Sequence, residues 1–137
     1  MRRRRTWRVL LGVVGLGTFA IAQQLYWRHQ GEALFTGQAA LPARLAGHAD
    51  PLPVQAARCI NCHGEGADRI GPLLSSATLT TAQARRGGPP SVYDERTLCR
   101  ALREGVDPAQ VTLTRAMPLY TAADADCTAL WTFLSRQ

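Results

Sequence analysis

The run Cys59-Ile60-Asn61-Cys62-His63 constrains the fold of this chain more than any other feature of its 137 residues. Two thiols three positions apart on a helical turn can both reach the vinyl groups along one edge of a porphyrin, and the histidine that follows them can bind the iron from one face. We therefore predict one covalent haem c, attached through Cys59 and Cys62, with His63 as the proximal iron ligand.

Two other uses of a C-x-x-C pair are weighed against haem attachment. A thioredoxin-like redox pair requires a βαβ unit, and no run of alternating β-branched residues predicts strands in this sequence. A zinc site requires a second pair of ligands at close spacing, whereas Cys99 and Cys127 lie far apart along the chain. The surrounding sequence therefore favours haem attachment over both alternatives.

The first 27 residues predict an export segment. Five arginines lie within the first eight positions, and an apolar run from Val9 to Ala22 follows them. Cleavage before Gln23 would make this segment a secretory signal peptide. Alternatively, residues 9–27 remain as a helix of about 28 Å, which is long enough to anchor the protein in the inner membrane. Either outcome places residues 31–137 in the periplasm, where disulfides persist.

The formal net charge of +6 is concentrated at the N-terminus. From Gln23 onward, 11 arginines are balanced by 10 acidic residues. A surface that binds nucleic acid needs clustered positive charge on the folded domain, because its affinity comes largely from neutralising phosphates. The charge distribution therefore excludes nucleic-acid binding as the primary function.

Residues 53–137 predict a small all-α domain. No stretch alternates β-branched and polar residues, and long loops rich in glycine and proline separate the helical segments. Structureless loops of this length are uncommon in a compact domain, so we expect a bound group to fill the middle of this one. Residues 28–52 are polar and interrupted by glycine and proline, and we expect them to form an extension that wraps the domain.

Start and stop signals place four helices in this domain. We expect the first to begin at Pro53 and to run into Cys59, because proline favours the first helical position. The second should begin at Thr80, with Gln83 as its capping partner. Capping residues also precede the last two helices, which follow Asp94 up to Gly105 and follow Thr121 and Asp124 up to Leu134.

Residues 53–137 resemble a monohaem cytochrome c domain of class I. The attachment run is followed by Ile70-Gly71-Pro72-Leu73, which is similar to the Gly-Pro-Leu segment of that family. Ala116-Met117-Pro118-Leu119-Tyr120 resembles its distal Met-Pro loop, and Ala123–Leu134 resembles its C-terminal helix. The resemblance implies a cytochrome c-like helical fold around one covalent haem.

This resemblance implies two further contacts at the haem iron. In that family the proline carbonyl accepts a hydrogen bond from the proximal histidine ring, which would join Pro72 to His63 here. Met117 would supply the sixth ligand. Its position also favours this role, because Met117 is the one methionine besides Met1 and lies in a loop between predicted helices. A packing role for Met117, or His48 as the distal ligand, remains open.

The front of the chain departs from the family pattern. The segment Gly31-Glu32-Ala33-Leu34-Phe35 resembles the start of the family's first helix, yet a long stretch separates it from Cys59. Residues 36–52 are therefore an insertion or part of the wrapping extension. Whether Phe35 or a residue near Val54 packs against Trp131 stays open at this stage.

Cys99 and Cys127 remain after the attachment run is assigned. An even number of remaining cysteines in an oxidising compartment suggests a disulfide between them, and two buried free thiols are the alternative. Four loop arginines could meet the haem carboxylates or an acidic partner surface, although most are expected to be solvated. They are Arg69, Arg85, Arg86 and Arg115.

An iron bound by both His63 and Met117 has no open position for a substrate. We therefore expect a one-electron carrier that docks transiently with redox partner proteins, rather than an enzyme with a small-molecule substrate. One alternative is the haem c subunit of a larger periplasmic dehydrogenase or oxidase. A second alternative is a haem sensor that binds a small ligand such as CO or NO.

Overall fold

The computed structural model describes residues 3–66 and 69–137, with side chains described from residue 20 onward. The order of its elements is α1 Arg3–Thr36, β1 Ala43–Arg44, α2 Ile60–His63, α3 Ser76–Thr80, α4 Glu95–Glu104, β2 Leu119–Tyr120 and α5 Asp124–Leu134. The sequence predicted helices alone. The two short strands arise because the segment after α1 returns along the chain that precedes α5, where their backbones pair.

Helix α1 continues without a break across residue 27, where we expected the export segment to end. Its 34 residues span about 51 Å. The helix ends at Thr36, and Gly37 follows with a φ of 80°, a left-handed conformation that glycine adopts readily. Residues 1–2 and the side chains of residues 3–19, on which most of the export prediction rests, lie outside the described part. Within that part, no helix is long and apolar enough to cross a membrane.

Helices α1 and α5 cross at Gly31. A Cβ atom at this position would lie 2.1 Å from the carbonyl oxygen of Ala129 in α5, and 2.7 Å from the Cβ atom of Phe133. Backbones can approach this closely only where one of them carries no side chain. Gly31 therefore sets the distance between the two helices that enclose one side of the core.

We expect Gly31→Ala to lower the free energy of unfolding by a net amount of about 1–3 kcal/mol, because overpacking at the crossing outweighs the better helix propensity of alanine. Denaturant unfolding of the full chain measures this change. Glu32→Ala, at an exposed position of the same helix, is the control and should stay within about 0.5 kcal/mol of the parent. Equal stability of Gly31→Ala and the parent would contradict the described crossing.

Phe35 provides the aromatic contact between α1 and α5. Its ring packs against that of Phe133, with centroids 5.6 Å apart. Val54, the other candidate for this contact, is 47% exposed. Phe35 therefore takes the role that the sequence left open, although its partner is Phe133 rather than Trp131.

The helix expected from Pro53 into Cys59 is wrong. The carbonyl oxygen of Pro53 accepts hydrogen bonds from Ala56 and Ala57, which closes a single turn. The carbonyl of Ala57 then accepts the Tyr120 hydroxyl instead of continuing a helical ladder. Regular helix begins only at Ile60, so the attachment run itself forms α2.

The second expected helix has a different start from the one that the sequence indicated. The capping box is made by Ser75 and Thr78, and α3 ends at Thr80, where we expected it to begin. Gln83 lies beyond the helix and donates a hydrogen bond from its side chain to the carbonyl of Thr78. Serine and threonine are both acceptable cap residues. The helix that begins after Ser75 places Leu79 in the core, which local capping signals could not indicate.

The two C-terminal helices follow their sequence signals more closely. Asp94 caps α4 through the backbone N–H of Thr97, and Gly105 ends it with a φ of 68°. In α5 the N-cap residue is Ala123, and the carboxylate of Asp126 accepts its backbone N–H, so neither Thr121 nor Asp124 caps this helix as expected. A disulfide between Cys99 and Cys127 joins α4 to α5. The predicted pairing of these two cysteines is thereby confirmed.

The segment after α1 belongs to the domain core. Leu41 and Ala43 are buried, and Ala43 pairs with Tyr120 across the strands. The backbone N–H of Thr121 donates to the carbonyl of Pro42, which extends this contact. Of the expected extension, residues 28–52, the part from Leu41 to Arg44 therefore packs along the chain that follows Met117, whereas residues 28–36 form the end of α1.

Candidate haem-binding site

Two adjoining apolar cavities occupy the middle of the domain. The larger measures about 340 Å³ and lies among α3, α4 and α5, and the second, of about 330 Å³, lies between the attachment run and residues 114–118. Six residues line both cavities: Cys59, His63, Pro72, Arg86, Met117 and Tyr120. Most of the residues predicted from the sequence as haem contacts therefore meet at one place.

His63 is held in a defined orientation at the end of α2. Its Nδ1 atom donates a hydrogen bond of 2.7 Å to the carbonyl oxygen of Pro72, which leaves Nε2 as the unprotonated nitrogen. Burial lowers the pKa of His63, the bond to Pro72 opposes this shift, and the positive charge of Arg86 adds to it. The ring is thus held in the neutral form that binds a metal.

Gly71 allows the chain to pass directly beside the His63 ring. A Cβ atom at Gly71 would lie 2.6 Å from Cε1 and 2.7 Å from Nδ1 of that ring. The backbone N–H of Gly71 also donates to the carbonyl of Cys62, at 2.8 Å. This close approach brings the Pro72 carbonyl within hydrogen-bond distance of the imidazole.

Cys59 and Cys62 are free thiols on neighbouring turns of the chain. Both line the second cavity, and Cys59 also lines the larger one. Burial raises the pKa of Cys59 to about 11, although a hydrogen bond with Tyr120 opposes the shift. Cys59 is therefore a neutral thiol. The other two cysteines are bonded to each other, so they are not the second ligand pair of a zinc site.

Met117 lines the same cavities, although it lies far from the attachment run in sequence. It is half-buried, packs against the hydrophobic core and lines both cavities. A turn closed by the Met117 N–H and the carbonyl of Thr114 precedes it, and β2 follows it after Pro118. Pairing of β2 with β1 therefore fixes the backbone two residues beyond the methionine.

Tyr120 is a site residue that sequence reasoning missed. Its hydroxyl donates a hydrogen bond of 2.9 Å to the carbonyl of Ala57, two residues before Cys59. Burial raises the pKa of Tyr120 far above its ordinary value, so the hydroxyl remains a neutral donor. Its position three residues after Met117 was a signal that Tyr120 could lie at the site. Its hydrogen-bond partner, Ala57, lies too far away in sequence to be identified from a local pattern.

We expect Tyr120→Phe to lower the free energy of unfolding by about 1–2 kcal/mol, because the Ala57 carbonyl loses its partner in a buried setting. Denaturant unfolding of the full chain provides the measurement. The matched control is Tyr26→Phe, since Tyr26 is 56% exposed on α1 and should tolerate the loss of its hydroxyl. Equal effects of the two substitutions would show that the buried hydrogen bond contributes nothing.

Two of the four predicted arginines reach the cavities. Arg85 and Arg86 line the larger cavity, and Arg86 also lines the second. Arg69 and Arg115 are exposed. The histidine considered as an alternative distal ligand, His48, is exposed as well, and it is not among the described lining residues.

The residues present fit a haem c. The cavity walls are largely aliphatic, and they match the apolar face of a tetrapyrrole. An imidazole, a thioether and two thiols open onto this space, and Arg86 supplies a positive charge for a carboxylate. In the described ranges, no group of three or more His, Cys, Asp or Glu side chains is arranged to hold a metal ion by itself.

Comparisons of the chain with protein-family models, with curated proteins and with solved structures found no match. The assignment of this site therefore depends on the motif and on the geometry described above.

Proposed function

We propose that this protein is a one-electron carrier that holds one haem c, with Cys59 and Cys62 as its attachment residues and with His63 and Met117 as its axial ligands. When bound, the haem iron would accept and release one electron by alternating between its ferric and ferrous states. A thiol adds across a vinyl group without a leaving group, so attachment needs no other side chain of this protein.

The observation that carries this proposal is the convergence of four donors on shared cavities. Cys59, His63 and Met117 line both cavities, and Cys62 lines one of them. Two axial ligands from the protein would leave no coordination position for a substrate, which supports electron transfer over catalysis at the iron. No enzymatic role is proposed for this reason.

The surrounding residues support this role in two ways. The Pro72 carbonyl fixes the His63 ring and makes the imidazole a stronger electron donor. The largely aliphatic walls surround the site with apolar side chains, and a thioether such as that of Met117 favours the ferrous state. Both the burial and the sulfur ligand raise the reduction potential, so we place this carrier toward the oxidising end of an electron-transport chain.

Redox proteins are the proposed partners. Ile60 and Ile70 lie within or close to the attachment run, and they are 40% and 80% exposed. Exposed apolar side chains beside a redox centre suit a small, transient interface at the low end of the usual size range. We propose that electrons leave and enter through this edge.

The alternative of a subunit in a larger complex depended on residues 31–52 as an assembly surface. Leu41 and Ala43 of this segment are buried, and β1 pairs with β2. The segment thus stabilises its own domain, and this observation favours an independent carrier.

Export remains part of the proposal. Ile21, Leu25 and Tyr26 are exposed within α1, and exposed apolar side chains on a helix suit contact with a membrane. The intact mass of the protein recovered from membranes distinguishes a retained anchor from cleavage before Gln23. Both outcomes place the domain in the periplasm.

A reductive titration tests the proposal. Under anaerobic conditions, the haem-loaded full chain should take up one electron per molecule, follow a one-electron Nernst curve and reoxidise reversibly with a chemical oxidant. A chain that binds no haem during maturation, or that takes up more than one electron, would contradict the proposed function.

A further inference from the structure

Asp107 is a buried carboxylate that the proposed function does not use. Its side chain is fully buried, with an exposure of 0%. Oδ1 accepts a hydrogen bond of 2.8 Å from the backbone N–H of Val111. Within residues 3–66 and 69–137, Oδ2 has no hydrogen-bond partner. A buried charged oxygen without a partner is unfavourable, and an isolated one persists where a nearby cation compensates it.

Arg86 is that cation. Its Nη1 atom lies 3.9 Å from Oδ2 of Asp107, which is an ion-pair distance rather than a hydrogen bond. Arg86 also has a backbone φ of 49°, in the left-handed region that few residues other than glycine adopt. Such strain persists where the surrounding structure determines it, and it concentrates at functional sites.

The N–H groups of the Arg86 guanidinium are available to a ligand. The side chain is about one third exposed, it lines both cavities, and no hydrogen bond of its guanidinium occurs among the described residues. Its neighbour Arg85 differs, because Arg85 donates to the carbonyls of Thr78 and Ser91 and lies over the ring of Tyr93. Arg85 is thus committed to the cavity wall, whereas Arg86 can accept an anionic ligand.

We propose that Asp107 is a positioning residue that holds the guanidinium of Arg86 at the cavity, where Arg86 meets the haem carboxylate that the sequence predicted for one of four loop arginines. This inference rests on the proposed function. A guanidinium presents a planar fork of N–H groups that matches a carboxylate, so one side can pair with Asp107 while the other meets the ligand. The ion pair thereby links the segment of residues 83–91, which carries Arg86, to the turn at Asp107.

The two charges have opposite direct effects on the iron. A cation near the iron favours the ferrous state, so Arg86 raises the reduction potential, and the carboxylate of Asp107 lowers it. If Asp107 acts through Arg86, removal of the Asp107 carboxylate also lets the Arg86 guanidinium move toward water. The loss of that cation then works against the direct effect of removing the anion.

A double-mutant cycle on the haem-loaded full chain tests this proposal. Arg86→Gln should lower the midpoint potential. Asp107→Asn should raise the potential when Arg86 is already Gln, because only the direct effect remains, and should lower it when Arg86 is present. Any difference between the two backgrounds supports coupling, whereas the same shift in both backgrounds would overturn the positioning role of Asp107.

Asp124→Asn is the matched control. Asp124 pairs with Arg103 at 2.7 Å, and its side chain is 96% exposed. Removing this carboxylate alters the net charge by the same amount, but it should give equal small shifts with and without Arg86. Should Asp107→Asn fail to fold, Arg86→Gln still decides the matter, since an unchanged potential in that variant would reject the proposal.

The carboxylate claim has a separate readout in the pH profile of the midpoint potential. Without the guanidinium, the ligand carboxylate should bind its proton more tightly, and the pH-dependent step in the potential should move to higher pH. An unmoved step would rule out pairing between Arg86 and a carboxylate. Covalent haem is verified first by its absorbance after denaturation. The absence of covalent haem would reject the proposed function itself. If covalent haem is present but Asp107→Asn shifts the potential equally with and without Arg86, only this inference is rejected.

Discussion

The double variant Cys59→Ala with Cys62→Ala should lose all covalently bound haem. Thioether bonds survive denaturation, whereas iron–histidine and iron–methionine bonds do not hold a haem to an unfolded chain. Both thiols line the cavity that His63 and Met117 share. Denaturing electrophoresis followed by haem staining should therefore show a stained band for the parent and none for this variant.

The chain offers a control with the same number of thiols removed. Cys99→Ala with Cys127→Ala breaks the disulfide between α4 and α5, but it leaves both attachment residues in place. This control should be less stable yet still carry the stain. A stained band in the Cys59 and Cys62 double variant would show that the attachment assignment is wrong.

Met117→Ala should have the second large effect, because it removes the proposed sixth ligand. The reduced protein should then bind CO, which the parent should not, and the midpoint potential should fall because a thioether favours ferrous iron. Absorbance spectra before and after CO addition, together with a redox titration, measure the two changes.

Leu113→Ala controls for the volume that Met117→Ala removes. Leu113 lines the larger cavity and is buried, but it carries no donor atom. Its loss should lower stability without opening the iron to CO. His48→Ala tests the other distal candidate and should leave the spectrum unchanged, since His48 is exposed. An unaltered potential in Met117→Ala would reject this residue as the ligand.

The parts of the fold that the sequence predicted well are those controlled by local interactions. The cap at Asp94 and the end of α4 at Gly105 depend on backbone groups within a few residues. The start of α3 was misplaced because Ser75 and Thr80 both carry a capping hydroxyl, and only packing selects between them. Pairing between Ala43 and Tyr120 joins segments far apart in sequence, so a local pattern could not reveal it.

The site divides in the same way. Cys59, Cys62 and His63 are adjacent in sequence, and their spacing alone predicted their chemistry. Pro72 was found through the resemblance to class I cytochromes c, and the structure has the Pro72 carbonyl 2.7 Å from His63. Met117 was found through that resemblance and through its position in a loop between predicted helices.

Other site residues depend on contacts between distant segments. Tyr120 bonds to Ala57 over 63 positions, and the partner of Asp107 is a loop arginine, Arg86. No pattern in the sequence links the members of either pair. Only the folded chain brings them together, so sequence reasoning could name Arg86 as one of several candidates and could not name its partner.

The most direct test of the central claim is the visible spectrum of the haem-loaded, dithionite-reduced protein before and after CO is added. We predict no change, because His63 and Met117 are the proposed ligands at both axial positions of the iron. A shifted Soret band would contradict this account, since it would mean that the distal position is open and that the protein binds small ligands rather than only transferring electrons.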